Sequence, residues 1–125
     1  ERESATAGNA TGLTDAMAKA AVAAIEEKKG EAIETLKVTE KTTLADVFVL
    51  ASGTSGIHIR SLAEAVEEKL KEGFGVYPGH IEGLENLNWV LLDYGDLIVH
   101  LMLPEDREHY KLENLWRVDA DRQSI

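Results

Sequence analysis

At 125 residues, with 44% apolar residues, a net charge of −10 and no cysteine, the chain has the size of one globular domain and cannot be a disulfide scaffold or a thiolate metal centre. The negative field repels phosphate backbones, so little or no direct nucleic-acid binding is expected and a basic partner is favoured, although such acidity also serves solubility alone. No apolar run approaches the roughly 20 residues of a membrane span, so no membrane partner is expected, and the absence of cysteine fits the reducing cytoplasm.

Residues 1–12 are mostly Ala, Thr, Gly, Ser and Glu without periodicity and read as a flexible leader. From Leu13 the spacing Leu13, Met17, Ala21, Ala24, Ile25 follows one helical face, with Thr14 as a cap and Gly30 as the closing residue. Ile33 to Val38 has the branched residues of a short strand, followed by a polar turn over Thr39 to Thr43. Asp46 to Ser52 is apolar on both faces and predicts a central, doubly covered strand. A Ser/Thr-Gly turn, Ser52 to Gly56, leads into a helix that buries Ile59, Leu62, Ala63, Val66 and Leu70 and ends near Gly73. Phe74 to Glu82 predicts a strand bent at Pro78 and Gly79, and Gly83 to Asn88 a loop. After a hairpin over Trp89 to Met102, Pro104 can start a helical turn through Tyr110. Leu112, Leu115 and Trp116 predict a last turn packed back onto the body, and residues 117–125 form a polar C-terminal tail. The order αββαβββα, with too few helices to cover both faces of a sheet, gives an α/β (α+β) domain over residues 13–116, with about five strands in one mixed sheet and the helices mainly on one face.

The hairpin, WVLLDYGDLIVHLM, holds the most unusual composition. A two-residue turn at Tyr94-Gly95 would pair Asp93 with Asp96, Leu91 with Ile98 and Trp89 with His100. Val90, Leu92, Leu97, Val99 and Leu101 then share one aliphatic face, suited to a helix-covered core. The other face carries Trp89, Leu91, Asp93, Asp96, Ile98, His100 and Met102, the composition of a recognition patch with aromatic and thioether anchors and a charged rim. Against this stand two plainer readings. Asp93 and Asp96 can serve the turn alone, and Trp89 beside His100 can be a packing pair.

Other chemistry is thinner. The Ser52 to Ser55 turn could offer N–H groups to a phosphate, but it has neither the spacing nor the lysine of a Walker A loop, and an N-cap is the commoner use. Asp93 and Asp96 would need a third carboxylate, Asp46 being the obvious one, to hold a metal pair. His80, His100 and His109 lack zinc-ligand grouping, and no G-x-S-x-G elbow occurs. No metal, cofactor or catalytic residue is therefore assigned. Arg107 and Tyr110 lie one turn apart and can project from one side of a short helix.

Ala45 to Ser55, His58 with Ser61 to Ala63, Glu82-Gly83, Trp89 to Met102, and Arg107 with Tyr110 to Trp116 form an ordered set that resembles the ribosomal silencing factor (Iojap-like, RsfS) family over about Leu13 to Trp116. The resemblance implies a nucleotidyltransferase-like outline without that catalysis. It also implies binding to large-subunit ribosomal protein fourteen and a steric block to subunit joining that represses translation when nutrients are scarce. Carried over by position, Trp89 is the anchor, with Leu91, Asp93, Tyr94, Asp96, His100 and Met102 around it and Arg107 and Tyr110 in the closing motif. Ile57 stands where the family commonly has an arginine. Two other readings of the same residues are a nucleotide-binding or nucleotidyltransferase-like enzyme using the Ser52 to Ser55 turn with Asp93 and Asp96, and a homodimer formed through the apolar hairpin face.

Overall fold

A computed structural model describes residues 2–37 and 47–110, with side chains described over 12–37 and 47–107. In chain order the elements are α1 (Arg2–Glu27), β1 (Glu31–Lys37), β2 (Val47–Ser52), α2 (Gly56–Phe74), β3 (His80–Glu82), β4 (Trp89–Asp93), β5 (Leu97–Met102) and α3 (Pro104–Tyr110). The sheet order is β1-β2-β5-β4-β3. Among the described strands only β2 and β5 run parallel to each other, so the sheet is mixed. The predicted Val38, the Thr39 to Thr43 turn, Asp46, the packing of Leu112, Leu115 and Trp116, and the tail lie outside the described residues.

α1 starts at Arg2 and takes in residues 2–12, where the aperiodic composition predicts a leader. Thr14 therefore lies inside the helix, buried, instead of capping it. Met17, Ala18, Ala21, Ala24 and Ile25 form the buried stripe, whereas Leu13 is 52% exposed. The helix closes with Lys29, not Gly30, in the left-handed region at φ 67°.

All six residues of β2 are buried, as its two-sided apolar pattern predicts. α2 is capped by Ser55, whose side chain accepts from His58 N–H, and ends in a left-handed Gly75 whose N–H donates to Lys71 O. That cap consumes the start of the predicted Phe74 strand, and β3 is reduced to His80–Glu82. α1 and α2 pack together on one sheet face over Val47, Val49, Ala51, Val90, Leu92, Leu97, Val99 and Leu101. Burial of a side chain of this size contributes about 1.5–3 kcal/mol each, which makes this layer the main source of stability.

Candidate functional site on the second sheet face

The hairpin turns one residue later than the Tyr94-Gly95 expectation. Tyr94 N–H donates to Leu97 O at 2.8 Å, so Gly95 and Asp96 are the two central residues. Gly95 at φ 94° takes the first of these positions, as a type II′ turn requires. The register accordingly pairs Trp89 with Met102, Leu91 with His100 and Asp93 with Ile98. A shift of two residues in pairing preserves side-chain alternation, so both faces keep their predicted membership.

The face away from the helices is a grid set by β2, β5 and β4. Phe48, Ile98 and Asp93 form one row, Leu50, His100 and Leu91 the next, and Ser52, Met102 and Trp89 the third. Phe48, Leu50, Ile98 and Met102 are buried and make a second, smaller apolar cluster, against which Leu36, Trp89 and Leu91 pack half-buried. His100 stands at its centre, 5% exposed.

Trp89 Nε1–H donates to His100 Nδ1 at 3.1 Å, a diagonal bond between neighbouring rows. Indole N–H only donates, so Nδ1 is bare and the proton of the neutral ring is on Nε2. That Nε2 is buried with no hydrogen-bond partner among the described residues. Phe48 tilts against the imidazole with ring centroids 5.0 Å apart. Burial in this setting pushes the His100 pKa down to about 4, because the charged form loses its hydration. The pair is thus a neutral, oriented platform, and the indole ring is fixed by a bond made from beneath.

The remaining predicted site residues divide between several places. Leu91 and Asp93 are half-buried beside Trp89 on the same face. Asp93 Oδ1 accepts Gly95 N–H at 2.8 Å and so serves the turn, while Asp96 is exposed at its tip. Tyr94 is not beside Trp89. Following the alternation of Val90 and Leu92, it packs on the helix-covered core, its hydroxyl buried without a partner among the described residues. Desolvation, with the Glu67 carboxylate of α2 second, raises the Tyr94 pKa far above the usual phenol range. Met102 is fully buried, and Arg107, 7% exposed, turns inward to Ala32 O and Ser52 Oγ. Met102, His100 and Arg107 therefore support the face from within and offer little surface to a partner. The Tyr110 side chain lies outside the described residues.

In the Ser52 to Gly56 turn the N–H groups of Gly53 and Thr54 are engaged within the fold. Gly53 N–H donates to Met102 O at 3.0 Å, and Thr54 N–H to His58 Nδ1 at 2.9 Å. His58 Nε2–H in turn donates to Lys28 O at 2.8 Å, which ties the end of α1 to the start of α2. These N–H groups are unavailable to a phosphate. Among the described residues Asp93 and Asp96 meet no third ligand, and no group of three or more of their side chains could hold a metal ion; Asp46 lies outside them. No helix among them is long and apolar enough to cross a membrane.

Composition and spacing give Glu82 and Gly83 no site role. Both line a groove of about 300 Å³ with Trp89 and Leu91. The signal was Gly83, whose φ of 92° and close approach to the Trp89 main chain admit no side chain.

A family model described as "Ribosomal silencing factor during starvation" matches residues 12–125. The chain is 41% identical over 100 residues to the ribosomal silencing factor RsfS of Chromobacterium violaceum, covering 80% of this chain and 81% of that protein. It is 34% identical over 98 residues to a mouse protein named mitochondrial assembly of ribosomal large subunit protein 1, covering 76% of this chain and 42% of that one. A crystal structure of a Chromobacterium violaceum protein superposes with a TM-score of 0.79 at 40% identity, over 82% of this chain and 85% of that chain.

Proposed function

Because the chain belongs to the ribosomal silencing factor family, we propose that it is a non-catalytic cytoplasmic factor that docks on ribosomal protein fourteen of the large subunit and keeps the small subunit from joining. Repression of translation under nutrient limitation follows from occupancy alone. A folded domain seated on a surface that the other subunit must reach excludes it sterically, and no bond needs to be made or broken.

The observation that carries this reading is the asymmetry of the sheet. Both long helices cover one face, and on the other a half-buried tryptophan is held by His100 among Leu91, Asp93 and a buried apolar cluster. Tryptophan is among the residues most enriched at interface hot spots, and a polar rim commonly surrounds the apolar centre of such a patch. The net charge of −10 favours encounter with a basic ribosomal protein. The name of the mouse relative, which ties that protein to the large ribosomal subunit, supports the choice of subunit.

The test is co-sedimentation with purified large subunits, wild type against Trp89→Ala. Truncating a hot-spot tryptophan costs about 2 kcal/mol or more of binding free energy. A folded Trp89→Ala protein that pellets with large subunits as well as wild type would remove the anchor from the account.

A further inference from the structure

The groove beside Trp89 has a chemistry that narrows what it can hold. The one polar group of the indole is turned to His100 Nδ1, so Trp89 gives the groove ring carbon and no donor. Leu91, in register with Glu82, adds an aliphatic floor. Gly83, whose backbone packs so closely on the Trp89 main chain that no Cβ fits between them, forms a wall without a side chain. Glu82 stands at the rim, its side chain 64% exposed. His80 Nε2 contacts one of its oxygens at 2.7 Å, and the other has no partner among the described residues.

A neutral apolar side chain entering this groove would shield the Glu82 carboxylate from water without pairing it, which is unfavourable. An anionic one would meet that carboxylate directly. A long side chain with an aliphatic stem and a cationic head satisfies every wall: stem over Leu91, cation against the ring and the carboxylate. We propose that the groove between Trp89 and Glu82 is a subsite for a lysine or arginine side chain projected by a basic protein partner. This deepens the docking reading given above and rests on it, adding the chemistry of one contact within that interface.

The experiment compares the affinity of wild type, Glu82→Gln and Glu82→Lys for purified large subunits at two salt concentrations, with thermal melting of each variant as the fold control. Because Glu82 is exposed, all three should melt alike. Glu82→Gln should weaken binding roughly fivefold and reduce its salt dependence, and Glu82→Lys should weaken it further. Glu82 variants that bind within about twofold of wild type, or more tightly, would overturn the subsite and point to an apolar occupant or none. If wild type itself fails to bind, the docking reading falls and takes the subsite with it. If wild type binds and the Glu82 variants bind equally, the subsite alone is lost.

Discussion

The guanidinium of Arg107, on α3, donates from Nη1 to the carbonyl oxygen of Ala32, 75 residues earlier in the chain. Ala32 sits at φ 51° in the bulge where β1 shifts register between Glu31 and Glu34, so the arginine of α3 braces an irregular edge strand. Nη1 also reaches Ser52 Oγ at 3.4 Å, at the end of β2. Arg107→Ala should therefore destabilise the domain by about 1–3 kcal/mol, because it removes the donor to the part-buried Ala32 carbonyl and to the buried Ser52 hydroxyl. Urea denaturation measures the loss, and hydrogen exchange should locate the loosening at β1. Unchanged stability would show that the brace contributes nothing.

Gly83 and Gly73 make an internal contrast. A Cβ on Gly83 would stand 2.0 Å from Trp89 O, on a backbone of φ 92°. Gly83→Ala must move β4 or the loop, and should cost about 2 kcal/mol or more while shifting Trp89 fluorescence. Gly73, in the last turn of α2, has nothing within 4 Å of its would-be Cβ. Gly73→Ala should instead stabilise by about 0.5–1 kcal/mol. Denaturation midpoints of opposite sign check both; equal effects would contradict the geometry.

His58 joins three segments, accepting from Thr54 N–H and donating to Lys28 O. His58→Ala should cost about 0.5–1.5 kcal/mol, with lost hydrogen-exchange protection at the α1 end and the β2–α2 turn together. Loss at one of the two alone would mean that the imidazole does not couple them.

His100 makes stability depend on pH. Its folded pKa of about 4 lies below the ordinary 6.5, so between those values the unfolded chain binds more protons than the folded one. The stabilisation is complete above pH 6.5 and is lost progressively as pH falls toward 4, by roughly 3 kcal/mol in all. Denaturation at a series of pH values should show this slope in wild type. In His100→Phe, which keeps a ring but cannot titrate, this component of the slope should vanish; an identical slope would assign it to other groups.

What the sequence made legible was periodic. Alternation in Val90, Leu92, Leu97, Val99 and Leu101 identifies the core face even though the Tyr94-Gly95 turn it suggests lies one residue early, because a two-residue change of register returns every side chain to the same side. The unbroken apolar run of β2 likewise announced a central strand. What was not legible depends on contacts between distant residues. No local pattern says that Tyr94 turns to the helices, that His58 reaches Lys28, or that Arg107 is drawn inward to Ala32. The Trp89–His100 bond was nearly anticipated as a cross-strand pair, but it is diagonal, and its polarity and tautomer follow only from the geometry.

The most direct test of the account is a subunit-joining assay. Large subunits preincubated with wild type or Trp89→Ala protein are mixed with small subunits and resolved on a sucrose gradient. Wild type should leave the subunits separate in proportion to its occupancy of the large subunit, and Trp89→Ala should let them join. Full joining in the presence of saturating, bound wild-type protein would contradict the proposed block.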